Sequence, residues 1–171
     1  AMVRCFGLIK AQVLAQPTVL VHRDFHSRNL MVDPADPHAR PGVIDFQDAV
    51  TGPISYDAVS LLKDCYIKWP AELVQRLSGE FYHNLRAEAG LSAEVSPEQF
   101  QLWFDWMGLQ RHIKVLGIFC RLYHRDGKSG YLADLPRVFD YVLEVTSAYP
   151  ELKELNLWLE NKVKPTLEAL V

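Results

Sequence analysis

The chain has 171 residues, of which 49% are hydrophobic and 23% charged, and its formal net charge is -3 at pH 7. These values are typical of one globular domain with a sizeable core. The slight acidity argues against a nucleic-acid partner, which would call for a strongly basic surface. No apolar run approaches the ~20 residues of a membrane-spanning helix, so we expect no membrane partner.

Three cysteines are spread along the chain at Cys5, Cys65 and Cys120, and they form no CxxC pair. This spacing argues against a zinc site and against a disulfide framework. Free cysteines favour a reducing, cytoplasmic location.

The first part of the chain predicts a helix followed by short strands. Residues 2–15 repeat apolar side chains at helical spacing and stop before Pro17. Three short valine-rich runs follow, TVLV, NLMV and GVIDF, and the Pro- and Asp-rich DPADPHARPG separates the last two. We predict a small β-ribbon over these runs, and no strand after Phe46.

Helix signals dominate the rest of the chain. We predict that Asp57 caps a helix over AVSLLKDCYIK and that Pro70 lies in the first turn of the next. The stretch Ser96-Pro97-Glu98-Gln99 has capping-box spacing and predicts a long helix to about His124.

Two further helices are predicted, one beginning at Asp134 and Pro136 and one over residues 155–170. The predicted fold is therefore α+β and mostly helical, a helical bundle with a small β-ribbon. The chain shows no internal repeat.

A group of polar residues follows the strands. Asp24 and Asn29 lie five residues apart in one loop, and Asp45 ends the third run. Oxygen-bearing side chains suit Mg²⁺, and a separate carboxylate can act as a general base. Phosphoryl transfer uses such a set, with one Asp accepting the hydroxyl proton while Asn and Asp hold metal on the phosphates. The alternative is a set of ordinary turn residues.

Two motifs carry a resemblance to kinases. HRDFHSRN matches the catalytic-loop pattern HRDxxxxN, and IDFQ resembles the metal-binding DFG segment with Gln47 in the place of glycine. The second histidine and the lack of an APE-like segment resemble the aminoglycoside phosphotransferase and choline kinase superfamily more than protein kinases. PGVIDFQDAVTGPISYDAVSLL and LGIFCRLYHRDGKSGYLADLPRV are similar to its bacterial sugar kinases, which phosphorylate N-acetylmuramate and N-acetylglucosamine at the anomeric hydroxyl.

The resemblance implies the C-terminal lobe of a protein-kinase-like fold. We treat residues 1–171 as a single domain with a catalytic loop at 22–29, a metal loop at 45–48 and a helical substrate subdomain at 57–171. The β-ribbon would then carry the catalytic and metal loops.

The resemblance also implies roles for single residues. Asp24 would be the catalytic base, Asn29 and Asp45 would hold Mg²⁺, and ATP would be the co-substrate. Asp57 would brace the backbone of the catalytic loop, and His22 would pack near Phe46.

Substrate contacts are expected from the loop and from the long helix. In the loop, His26 and Arg28 are candidates, although His26 is equally well explained as a residue that orders the loop. In the helix, a basic stripe would attract an anionic sugar such as N-acetylmuramate, or would simply be solvated. Its candidate members are Arg111, Lys114 and Arg121.

The nucleotide side of a kinase is not recognisable in the sequence. Only 21 residues precede His22, and they contain no glycine-rich phosphate loop. We therefore expect the N-terminal nucleotide lobe to be absent, this chain alone to be inactive, and the uncovered surface to be open to self-association.

The expected function is ATP-dependent phosphorylation of an amino sugar, with the sugar and the nucleotide as partners. One alternative is phosphoryl transfer to another small alcohol, such as an aminoglycoside or a choline-like amine. The other is a non-catalytic binding or regulatory lobe.

Overall fold

The computed structural model describes residues 2–170. Its helices and strands confirm the α+β, mostly helical fold class. In chain order they are α1 (Met2–Leu14), β1 (Thr18–Val21), a 3-10 turn (Ser27–Asn29), β2 (Leu30–Met31), β3 (Gly42–Val43), β4 (Val50–Pro53), α2 (Tyr56–Leu62), α3 (Ala71–Glu88), α4 (Pro97–Asp126), a 3-10 turn (Ser129–Asp134), α5 (Leu135–Ala148), a 3-10 turn (Pro150–Leu152), α6 (Lys153–Trp158), a π turn (Leu159–Val163) and α7 (Lys164–Glu168). Within residues 2–170, no helix is long and apolar enough to cross a membrane.

The chain divides into two compact units. The loop unit comprises residues 16–104, and the helical unit comprises residues 2–15 together with 105–170. Helix α4 contributes to both. The predicted start of a helical subdomain at residue 57 does not coincide with this division, and the single domain stays a prediction.

The strands pair differently from the predicted ribbon. Strands β2 and β3 are antiparallel, with Leu30 opposite Val43, as expected. Strand β1 pairs instead with β4, with Thr18 opposite Pro53. The prediction of no strand after Phe46 was wrong, because β4 reads VTGP, which is too short and too rich in Gly and Pro to show alternation.

Helix α2 begins and ends differently from the prediction. Its N-cap is Ser55 and Asp57 lies in its first turn, so the predicted cap was wrong. The helix ends at Leu62 instead of continuing through DCYIK. Asp64 Oδ1 accepts the N–H of Tyr66 at 2.8 Å, and this turn replaces the next helical turn.

The predicted starts of α4 and α5 agree with the structure, whereas Pro70 is the N-cap of α3 and not part of its first turn, and the last helix begins at Lys153. Ser96 Oγ accepts the N–H of Gln99 at 3.2 Å, and α4 runs from there to Asp126. Asp134 is the N-cap of α5, with Pro136 in the first turn. The last predicted helix is present, although the π turn interrupts it.

The core of the helical unit is mostly aliphatic and aromatic. His112, 2% exposed, stacks on Tyr141 with ring centroids 4.6 Å apart. The Tyr149 hydroxyl donates to Asp105 Oδ2 at 2.9 Å. Burial and the Asp105 carboxylate both raise the pKa of Tyr149, so its hydroxyl stays a donor at a pH at which an exposed tyrosine would ionise.

A glycine allows the strands of the loop unit to pair closely. A Cβ on Gly52 of β4 would lie 2.7 Å from Cγ2 of Val21, which is 2% exposed on β1. Because valine is stiff at χ1, it cannot rotate away at little cost. We expect Gly52→Ala to lower the free energy of unfolding by about 1–3 kcal/mol in urea titrations.

The control is Gly42→Ala in β3. A Cβ there would meet Met31 Cβ at 3.7 Å, which is ordinary contact. We expect this exposed substitution to change stability by less than about 0.5 kcal/mol. Equal losses in the two variants would contradict the packing explanation.

Candidate active site

Asp57 on α2 holds the start of the catalytic loop. Its Oδ2 accepts the N–H of His22 at 2.6 Å, and its Oδ1 accepts the N–H of Arg23 at 3.1 Å. Arg23 has φ +77°, a left-handed conformation that costs a non-glycine residue about 1–2 kcal/mol. The two hydrogen bonds offset this strain, and the bracing role of Asp57 is tested by the prediction that closes this subsection.

His22 connects the catalytic loop with the segment before the metal loop. Its Nε2 lies 2.9 Å from the carbonyl oxygen of Ile44, and since a carbonyl only accepts, Nε2 carries the proton. The His22 ring packs edge-on against Phe25, with centroids 5.8 Å apart. The expected packing partner, Phe46, is instead 65% exposed.

Asn29 brings the three predicted catalytic and metal residues together. Its Nδ2 donates to the carbonyl oxygen of Asp24 at 2.9 Å and to Oδ2 of Asp45 at 3.4 Å. The N–H of Ile44 donates to the Asn29 carbonyl oxygen at 3.2 Å. Asp24, Asn29 and Asp45 therefore lie side by side, as their spacing around β2 and β3 predicted.

Asp45 is held in an unusual backbone conformation. Its φ is +67°, and its Oδ1 accepts a hydrogen bond from Nε2 of Gln47 at 2.8 Å. Sequence reasoning assigned Gln47 no role. Its only signal was its position in place of the glycine of the DFG-like segment.

Two polar groups of this site are open to a ligand. Asp24 is exposed, and neither of its carboxylate oxygens accepts a hydrogen bond from another residue of the described range 2–170. The side-chain oxygen of Asn29 also accepts no hydrogen bond from the described residues, and its Nδ2 already donates to two oxygens. These atoms are free to accept a proton or to ligate a cation.

The oxygen donors of Asn29 and Asp45 fit Mg²⁺. This ion is commonly held by one or two carboxylates together with substrate phosphates. Across residues 2–170, no cluster of three or more His, Cys, Asp or Glu side chains could hold a metal. With one amide and one carboxylate as protein ligands, such an ion would take its remaining oxygen ligands from water or from substrate phosphates.

A second carboxylate, which sequence reasoning missed, holds the other end of the catalytic loop. Asp64 is fully buried, and its Oδ2 accepts the N–H of Ser27 at 3.1 Å and the Ser27 hydroxyl at 2.6 Å. Its Oδ1 binds the N–H of Tyr66. No clear sequence signal indicated this role, because Asp64 lies in SLLKDCY, a segment that was assigned to a helix.

The predicted substrate residues fall in both units. In the loop unit, the His26 ring packs edge-on against Tyr66, and Arg28 Cζ lies 3.5 Å from the Tyr66 ring centroid. In the helical unit, Arg111 is 9% exposed and so cannot belong to a solvated basic face, whereas Lys114 and Arg121 are exposed. A substrate contact of these three helical residues stays a prediction.

Comparison with known proteins assigns the family. Residues 3–94, more than half of the chain, match the model of the phosphotransferase enzyme family. The chain belongs to the phosphotransferase enzyme family. The matched range contains the predicted catalytic loop, the predicted metal loop, Asp57 and Asp64, and it confirms the resemblance seen in the motifs.

This phosphotransferase is similar to proteins named N-acetylmuramate/N-acetylglucosamine kinase. It is 52% identical over 143 residues to that of Neisseria meningitidis, which covers 84% of this chain and 41% of the relative. It is 48% identical over 152 residues to that of Pseudomonas putida, and the match covers 89% of this chain and 43% of the relative. It is 36% identical over 156 residues to that of Caulobacter vibrioides, and the match covers 91% of this chain and 41% of the relative. The chain thus spans about two fifths of the length of these relatives.

The two hydrogen bonds of Asp57 can be tested by removing its side chain. Asp57→Ala leaves the N–H groups of His22 and Arg23 without their acceptor, so we expect it to lower the free energy of unfolding by about 1–3 kcal/mol. Asp48→Ala is the matched control, because Asp48 is exposed and its side chain bonds no other described residue. We expect less than about 0.5 kcal/mol for the control. If Asp57→Ala unfolds like the unsubstituted protein, Asp57 does not brace the loop.

Proposed function

We propose that the protein transfers the γ-phosphoryl group of ATP to the anomeric hydroxyl of an amino sugar, N-acetylmuramate or N-acetylglucosamine, in the cytoplasm. The observation that carries this proposal is the Asn29 amide, which binds Asp24 and Asp45 at once. One amide thereby ties the backbone of Asp24, whose carboxylate is exposed, to the carboxylate of Asp45. Similarity to kinases of that name supports the choice of acceptor.

Asp24 would be the general base. Its carbonyl is held by the N–H of His26 and by Asn29, while its carboxylate is exposed and accepts no hydrogen bond from the described residues. Such a carboxylate can take the proton of a hydroxyl as its oxygen attacks the γ-phosphorus and ADP leaves. Positioning is the main contribution of the protein in such a reaction, so a rigid loop is what this base requires.

Asn29 and Asp45 would hold Mg²⁺. Because Asn29 Nδ2 is already a donor to two oxygens, Oδ1 is the atom that remains for a cation. Asp45 contributes a negative charge, and Gln47 fixes the orientation of its carboxylate. When bound, the ion neutralises charge on the phosphates of the nucleotide.

Arg28 adds a positive charge near the loop. Its guanidinium is exposed one residue before Asn29. This charge would repel a polycationic acceptor such as an aminoglycoside, whereas the exposed carboxylates of Asp24 and Asp45 would attract one. The choice of a neutral or anionic sugar therefore rests on the similarity to kinases of that name.

Apolar side chains are exposed around the loops. They are Val19, Leu20, Met31, Val32, Val43, Ile44, Phe46 and Val50. Contiguous exposed apolar surface typically marks an interaction site. Self-association through these residues stays a prediction. We expect the sedimentation coefficient to rise with protein concentration in sedimentation velocity experiments, and a strict monomer would contradict the prediction.

Substitution of the three central residues tests the proposed roles in the full-length gene product. Asp24→Ala should lower kcat by roughly 100-fold or more with little change in the dissociation constant of ATP, because Asp24 acts on the hydroxyl. Asp45→Ala should weaken ATP binding and shift the Mg²⁺ dependence as well, because a charged ligand is lost. Asn29→Ala should do the same more mildly, because an amide is neutral.

The measurements are kcat, the ATP dissociation constant and the Mg²⁺ dependence, with N-acetylmuramate and N-acetylglucosamine as acceptors. Gln75→Ala, an exposed change on α3, serves as a control for substitution in the same unit. Near-normal turnover of Asp24→Ala would exclude Asp24 as the base. An unchanged Mg²⁺ dependence of Asp45→Ala would exclude Asp45 as a metal ligand.

A further inference from the structure

Three side chains beside the candidate active site form a cluster, which consists of His26, Tyr66 and Arg28. Arg28 Cζ lies 3.5 Å from the centroid of the Tyr66 ring, a cation–π contact. The His26 ring meets the same tyrosine edge-on, with centroids 5.6 Å apart and planes at 81°. The guanidinium therefore rests on an aromatic face that is itself packed.

Asp64 holds both halves of this cluster. Its Oδ2 binds Ser27, the residue between His26 and Arg28, and its Oδ1 binds the backbone of Tyr66. One buried carboxylate thereby fixes the backbone next to Arg28 and the backbone of Tyr66. The fixed backbone and the contact with the ring restrict the Arg28 side chain before any ligand binds. The conformational entropy that Arg28 loses on binding is therefore smaller.

The charge of Arg28 is not neutralised inside the protein. Arg28 is exposed, and its guanidinium makes neither a hydrogen bond nor an ion pair with another described residue; its contact is the Tyr66 ring. Five N–H donors in a planar fork are suited to bidentate binding of a carboxylate or a phosphate. A held, exposed and unpaired guanidinium is typical of a site for an anionic group.

Arg28 is also close to the proposed base. It lies four positions after Asp24 in the sequence, at most about 14 Å even in an extended chain. The turn is tighter than that, because the N–H of His26 binds the Asp24 carbonyl and the N–H of Asn29 binds the His26 carbonyl, each at 3.0 Å. A ligand at Asp24 is thus within reach of the Arg28 side chain.

We propose that Arg28, held by Tyr66, is a specificity-determining residue that binds the carboxylate of an anionic amino sugar. The inference rests on the proposed function, because it assumes that the acceptor hydroxyl lies at Asp24. N-acetylmuramate carries a lactyl carboxylate and N-acetylglucosamine carries none. The two sugars therefore report on this contact separately. The phosphates of the nucleotide are the other anion that Arg28 could bind, and they are common to both reactions.

The test compares kcat/KM for the two sugars in the full-length gene product. For Arg28→Gln we expect roughly a 10- to 100-fold loss with N-acetylmuramate, the value of a charge-assisted hydrogen bond, and less than about threefold with N-acetylglucosamine. Tyr66→Leu should lower the N-acetylmuramate value roughly three- to fivefold, while Tyr66→Phe, which keeps the ring, should not. Arg76→Gln controls for the loss of one exposed arginine in the same unit, and neither sugar should respond to it.

Each outcome decides one question. Equal losses with both sugars, together with a raised KM for ATP, would assign Arg28 to the nucleotide and overturn the inference. No loss with either sugar would also overturn it. A wild-type protein that phosphorylates neither sugar would instead remove the proposed function, on which the inference rests. If Arg28→Gln does not fold, Arg28→Lys replaces it, with selectivity for N-acetylmuramate expected to fall because the planar fork is lost.

Discussion

The two hydrogen bonds that Asp57 accepts from the backbone of His22 and Arg23 are the constraint on which the candidate active site depends. They hold Arg23 in a left-handed conformation that an arginine would otherwise avoid. That conformation turns the chain so that the next residue, Asp24, presents an exposed carboxylate. Asp64 repeats the arrangement at Ser27, so a loop of mostly polar residues is fixed at both ends by carboxylates.

The strand pair β1 and β4 explains how Asp57 reaches the catalytic loop from 34 and 35 residues away. Val21, the last residue of β1, lies opposite Val50, the first of β4, and Gly52 lets the two strands approach. The N–H of Ile54 donates to the Pro17 carbonyl oxygen at 2.9 Å, and the Ser55 hydroxyl donates to Gln16 Oε1 at 2.6 Å. These contacts fix the position of the residues immediately before α2. A minor sheet thus positions the residues to which we assign the chemistry.

Features with a local signal could be predicted from the sequence. The Ser96 cap of α4 and the Asp134 start of α5 depend on side chains a few residues apart. The grouping of Asn29 and Asp45 depends on the pairing of β2 with β3, and Asp24 lies five residues before Asn29 in the same loop. The motifs HRDFHSRN and IDFQ, taken together and in this order, were sufficient to place the chain in its family.

Features that depend on distant contacts could not be predicted. Strand β4 exists because β1 pairs with it, and four residues with a glycine and a proline carry no pattern of their own. Asp64 ends α2 early because Ser27 and Tyr66 supply its hydrogen bonds, and those partners lie 37 residues before it and two after it. The stacking of Arg28 on Tyr66 follows from the same tertiary contact.

The most direct test of the account is to identify the product made by the full-length gene product from ATP, Mg²⁺ and N-acetylmuramate or N-acetylglucosamine. Phosphorus and proton NMR distinguish the hydroxyl groups of the sugar, because a phosphorus atom couples to the proton on the carbon that carries it. We predict ADP and a sugar phosphate in equal amounts, with the phosphorus coupled to the anomeric proton. Hydrolysis of ATP without a sugar phosphate, or a phosphate on a different carbon, would contradict the account.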